Sequence, residues 1–93
     1  AIACYQRALE VYTRADFPAD WAMTQNNLGA AYRNRIRGDR AENLEEAIAC
    51  FQRALEVLGR PDMLPEWAEI VRNNLQRAQQ ELAALAGGAG ASE

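Results

Sequence analysis

The sequence predicts an all-α chain, an antiparallel helix-turn-helix solenoid fragment of about four helices, on three observations. The first is an internal repeat: AIACYQRALEVYTR at Ala1–Arg14 returns as AIACFQRALEVLGR at Ala47–Arg60, with 11 of 14 positions identical. A looser second half follows it. Pro18 and Asn26-Asn27-Leu28 recur 47 residues on as Pro65 and Asn73-Asn74-Leu75, while Trp21 and Trp67 lie 46 apart. Self-similarity at such a period marks stacked supersecondary units, none of which buries its apolar face alone. The second observation is helical spacing: Ile2, Tyr5, Leu9 and Tyr12 form one stripe, and Ile48, Phe51, Leu55 and Leu58 repeat it. The third is that no segment shows the two-residue alternation of a half-buried strand.

Each predicted helix has readable ends. The first covers residues 1–14. Pro18 suits the first turn of the second, where Asp20 complements the helix dipole. That helix runs through Trp21, Leu28 and Tyr32 to residue 37, and Gly38, free to take positive φ, suits its C-terminal cap. For the third helix, 43–58, Asn43 and Glu46 read as a capping-box-like start, with Gly59 and Pro61 as its stop. Pro65 opens the fourth, 65–86, with Glu66 and Glu69 in its first turn and Leu75, Ala78, Leu82 and Leu85 along its stripe. Residues 1–86 thus form one repeat array, and GGAGASE at 87–93 reads as a flexible tail.

Composition narrows the function. The 93 residues hold ten Arg, thirteen Asp plus Glu, no Lys and no His, for a net charge of −3. There is accordingly no histidine base, no Ser-His or Cys-His pair, no Schiff-base lysine and no P-loop lysine. No catalytic residue is expected, and the chain reads as a non-enzyme. Mild acidity with scattered Arg lacks the basic face of a nucleic-acid binder. No apolar run approaches the roughly 20 residues of a membrane span. Cys4 and Cys50 occupy equivalent repeat positions and read as small packing side chains. Equivalent positions in stacked repeats lie too far apart for a disulfide, and two Cys without His fall short of a four-ligand zinc site. No metal or cofactor is expected, and a reducing, cytoplasmic setting fits. Because Ala1 is not Met and already belongs to a helical pattern, the chain reads as a fragment.

Leu28-Gly29-x-x-Tyr32 followed by Ala47-x-x-x-Phe51 resembles the L-G-x2-Y…A-x3-F part of the tetratricopeptide repeat. Ala1, Tyr5 and Ala8 supply the same half-motif ahead of it. Gly29, Ala47 and Ala54 suit a close approach of helices, with Tyr32 and Phe51 filling the space between. The wording of DFPADWAMTQNNLGAAY and IRGDRAENLEEAIACFQRALEV is similar to the long-period bacterial repeats of large multidomain signalling proteins, which accompany CHAT-type protease or nucleotide-binding domains. Departures are visible: Gln25 stands at the family's Trp, and the period is 46–47 rather than 34. The surplus falls, on this reading, in the loops around 35–42 and 60–67. Gln76 and Gln79 replace the Gly and Tyr of the motif in the last helix, giving it the polar outer face of a terminal cap.

The resemblance implies a protein-interaction module that binds a peptide, a helix or a neighbouring domain of its parent chain through a concave face. On the family pattern that groove is lined by Met23, Asn26, Asn27, Ala30, Arg33 and Asn34, and by Ile70, Asn73, Asn74, Arg77 and Gln80. Asn27 and Asn74 precede the motif Leu, where the family's peptide-contacting Asn sits, and an amide offers a peptide backbone both donor and acceptor. Arg33 and Arg77 suit a carboxylate. The competing role for the asparagines is to satisfy helix-end backbone groups. The lysine-based carboxylate clamp of chaperone-binding relatives has no counterpart here. An alternative function is self-association, with the unpartnered Ala1–Arg14 helix burying its stripe against a second copy. Arg37-Gly38-Asp39 reads as a helix end, Arg33, Arg35, Arg37 and Arg40 as a solvated surface offset by Asp39, Glu42, Glu45 and Glu46, and Trp21 and Trp67 as junction anchors.

Overall fold

The structure is a computed structural model that describes the backbone of residues 1–91 and the side chains through Gly87; Ser92 and Glu93 lie outside the described residues. Four helices follow in order, α1 (Ile2–Val11), α2 (Pro18–Arg33), α3 (Arg40–Leu58) and α4 (Pro65–Ala91), and the described residues contain no strand. All three connections are six residues long. Six residues reach about 20 Å, less than the ~28 Å length of the 19-residue α3. So α3 turns back along α2, and α4 along α3. The outcome is the all-α antiparallel array that the periodicity predicts.

The core is built where α3 meets α2 and α4. Leu44, Ala47, Phe51, Ala54, Val57 and Leu58 of α3 are sealed against Ala22 of α2 and Ala68, Val71 and Ala78 of α4. Trp21 and Trp67 are half-buried and pack against this cluster, each within the first turn of a Pro-started helix. Gly29 allows a close approach of α2 and α3. A Cβ added there would stand 2.7 Å from Cε1 of Phe51, so only hydrogen fits between the α2 backbone and the ring. Cys50 is buried and Cys4 exposed, both as free thiols. Burial pushes the Cys50 thiol above its ordinary range, and the nearby Arg53 only partly opposes this.

Helix ends differ from the sequence reading in informative ways. α1 stops at Val11 rather than residue 14, because Thr13 and Asp16 bond to each other through side chain and backbone and compete with the helix. α2 stops at Arg33 rather than residue 37. Asn34 caps it, and the orphan carbonyl of Arg33 accepts a hydrogen bond from Arg40 Nη1. Gly38 does take positive φ (84°), but inside the connection rather than at the helix cap. α3 starts at Arg40 rather than 43: Asp39 is the cap, its carboxylate accepting from the Glu42 N–H at 2.9 Å. The predicted cap residue, Asn43, is instead buried and donates to the Arg37 carbonyl at 2.8 Å. The α2–α3 connection accordingly covers 34–39 rather than the predicted 38–42. α4 continues through the glycines to Ala91, past the start of the predicted tail. No proline stops it, and a packed helix extends at little cost once nucleated.

Buried polar groups are mostly satisfied. Thr24 Oγ1 donates to the Asp20 carbonyl at 2.7 Å. Gln25 is the exception: at 6% exposure its Oε1 has no donor among the described residues. Replacing Gln25 with the near-isosteric Met is expected to stabilise the chain by about 1 kcal/mol, because an orphaned acceptor disappears. Gly29→Ala is expected to destabilise it by about 1–3 kcal/mol, although alanine is the better helix former by about 1 kcal/mol. Urea midpoints at unchanged m measure both, and Phe51→Leu should recover part of the Gly29→Ala loss by making room.

Candidate functional site

The face of interest lies along α2 and α4. Two side-chain contacts tie these helices: Asn74 Nδ2 donates to Asn26 Oδ1 at 3.0 Å, and Arg33 Nε donates to Glu81 Oε1. Both pairs are separated by 48 residues, so α2 and α4 run parallel and in constant register.

Helix geometry then places every residue of the predicted groove. At about 100° per residue, Met23, Asn27, Ala30 and Asn34 lie on one side of Asn26 along α2. Along α4, Ile70, Asn73, Arg77 and Gln80 lie on the opposite side of Asn74. Because the helices are parallel, opposite senses of rotation bring both sets to the same face. Gly29 of α2 and Val71, Leu75 and Ala78 of α4 point the other way, onto α3, as their burial shows. Asn27, Asn34, Asn73, Arg77, Gln80 and Ile70 are exposed on that face, while Met23 and Ala30 are half-buried.

The asparagines divide by role. Asn26 and Asn74 satisfy each other across the seam and hold the helices in register. Asn27 and Asn73 keep their side-chain amides exposed. Asn34 caps α2, its backbone N–H donating to the Ala30 carbonyl. So the pair that the motif singles out, Asn27 and Asn74, does not act alike, because the true neighbours are offset by 48 residues rather than 47.

A residue that sequence reasoning missed organises the C-terminal end of the face. Glu81 accepts from Arg33 through Oε1 and from Arg40 Nη2 at 2.8 Å through Oε2. The same Arg40 reaches the end of α2 through the Arg33 carbonyl. One carboxylate thus ties α2, the start of α3 and α4. Arg33 and Arg40 are therefore paired across the fold rather than offset by the acidic residues beside them in sequence. Only the tertiary contact pairs them; nothing at local spacing signals Glu81. Arg77 has no carboxylate partner among the described residues, and with Arg33, Gln80, Glu81 and Ala84 it lines an open depression of ≈ 260 Å³. Among the described residues no three or more His, Cys, Asp or Glu side chains converge as a metal site would require, and no helix is long and apolar enough to cross a membrane.

Partial burial disfavours the charge on Glu81, but the hydrogen bonds and charges of Arg33 and Arg40 outweigh it and hold the carboxyl below its ordinary value of 4.5. A folded value below the unfolded one means that the native state binds fewer protons. The resulting stability is present above the unfolded value and is lost as pH falls through the folded one. Glu81→Gln is expected to cost under about 1 kcal/mol at pH 7, the scale of a partly exposed pair. The difference from the parent chain should shrink steadily below pH 4.5. Urea titrations at pH 7 and pH 3 check this.

No curated protein and no solved structure matches the chain. A family model does match over residues 21–62, described as a tetratricopeptide repeat. The matched stretch takes in most of α2, the whole of α3 and the connection between them. The Gly29–Phe51 approach and the matched span together support a tetratricopeptide repeat formed by α2 and α3.

Proposed function

We propose that this chain acts as a non-catalytic protein–protein interaction scaffold, the general role of tetratricopeptide repeats, and that the α2–α4 face captures a peptide, a helix or a neighbouring domain of its parent protein. The observation that supports this most directly is the shared exposure of Asn27, Asn73, Arg77 and Gln80 on the side of the α2–α4 seam away from α3. Exposed amides at that spacing offer paired donors and acceptors to an extended backbone, and Arg77 offers a guanidinium that the scaffold has not already used. The depression beside it, ≈ 260 Å³ and open, is smaller than the roughly 300–1,000 Å³ of small-molecule pockets. It suits a side chain of a larger partner. The bacterial multidomain signalling setting and a cytoplasmic location belong to this proposal and are supported by the resemblance of the repeat wording alone.

On this reading Asn26 and Asn74 maintain the face while Asn27, Asn73 and Arg77 engage the partner. For peptides selected on the chain from a random library, Arg77→Ala and the double variant Asn27→Ala/Asn73→Ala are each expected to weaken affinity about tenfold, or about 1.4 kcal/mol. The urea midpoint should stay within about 0.5 kcal/mol of the parent, as for exposed substitutions. Peptides that bind both variants as tightly as the parent chain would place recognition on another surface.

A further inference from the structure

Three guanidiniums and one carboxylate meet at the C-terminal end of the α2–α4 face. Glu81 accepts from Arg33 and Arg40, while Arg77, one helical turn before Glu81 on α4, makes no ion pair among the described residues. Arg33, Arg40 and Arg77 against the single Glu81 make this end of the face cationic, although the chain as a whole carries a net charge of −3. The ion pairs do not exhaust the donors. Arg33 bonds Glu81 through Nε alone, so both of its terminal nitrogens are unpaired among the described residues. Arg33, Arg77 and Gln80 line the same open depression of ≈ 260 Å³. Its walls therefore hold two guanidiniums from neighbouring helices, one of them fixed in place by Glu81.

We propose, on the reading that the α2–α4 face captures a peptide, that this depression receives a phosphorylated side chain of that peptide. Charge and oxygen number favour phosphate over carboxylate. A carboxylate brings one charge and two oxygens, which a single guanidinium satisfies through two parallel hydrogen bonds. A phosphate monoester brings three acceptor oxygens and a charge of about −1.5 to −2 at pH 7. It accepts from the Arg33 and Arg77 forks together and leaves neither cation bare. The Gln80 amide, exposed beside them, adds a further N–H donor. Glu81 is the one acid in the lining, and Arg40 offsets its charge from the far oxygen. The acidic balance of the rest of the chain repels an extended polyanion. A single phosphoryl group on a protein partner, rather than a nucleic-acid backbone, is therefore the occupant.

Two synthetic peptide libraries of one design, with a central serine or a central phosphoserine, test this on the 93-residue chain. Peptides selected from the second are expected to bind at least about tenfold more tightly than the same sequences carrying serine. Glutamate in place of phosphoserine should recover only a small part of that gap. Arg77→Gln removes one fork and Gln80→Glu adds a carboxylate to the depression, so each should erase the preference for phosphoserine. Both positions are exposed, and an unchanged urea midpoint shows that the fold is kept. Three results overturn the phosphoryl assignment alone: serine peptides that bind as tightly as their phosphoserine forms, which leaves peptide capture standing; a preference that survives both variants; or inorganic phosphate that displaces the phosphopeptide at the peptide's own Kd, which makes a free anion the occupant. No binder from either library overturns peptide capture and the assignment together.

Discussion

The approach of α2 onto α3 at Gly29 and Phe51 sets the geometry on which the other contacts depend. With hydrogen alone between the α2 backbone and the aromatic ring, the two helices pack close enough for side chains as short as Ala22, Ala47 and Ala54 to seal the seam. Larger residues at those positions would hold the helices apart and leave the ring loose. Close packing of this kind has little room to relax, so a single methyl is felt. Once α3 is fixed against α2, its other flank receives α4 through Ala68, Val71 and Ala78. That places α4 beside α2, parallel to it and in register, and only then does a shared α2–α4 face exist.

The polar contacts work within this frame. Asn26 with Asn74, and Glu81 with Arg33 and Arg40, set the register of α2 against α4. Individually, such partly exposed contacts contribute little to stability. Their effect is selective, because each uses up a group that would otherwise be free on the α2–α4 face. Asn27, Asn73 and Arg77 remain outside these internal pairs, and that division separates the scaffold from the surface it presents.

The repeated segment isolates what tertiary context adds to a sequence. Eleven of fourteen residues are shared by Ala1–Arg14 and Ala47–Arg60, yet α1 is a ten-residue helix without a buried residue and α3 a nineteen-residue helix at the centre of the core. Intrinsic propensity is nearly equal in the two copies. Short helices draw most of their stability from packing of an apolar face, and only α3 is packed on both sides. The Asp39 cap gives α3 a further advantage, since Ala1 at the start of α1 makes no side-chain cap bond.

By itself the sequence determined the helical class, the number of helices, the two Pro-marked starts and the apolar stripes. All of these are set by spacing within one helix or by the rigidity of one residue. The family motif also marked Gly29, Ala47 and Ala54 as small residues at a close helix approach and Tyr32 and Phe51 as filling it, while the specific pairing of Gly29 with Phe51 came from the structure. The groove residues were legible as positions on a helix, because a 3.6-residue period assigns them to one side. Only the tertiary structure decided which of them are free. Asn26 meets Asn74, and Arg33 meets Glu81, across 48 residues of chain, a register set by how α3 spaces its two neighbours and not by any local signal. The capping of α3 by Asp39 rather than Asn43 was decided in the same way: two acceptable caps lay four residues apart, and burial of Asn43 against the Arg37 carbonyl removed one of them.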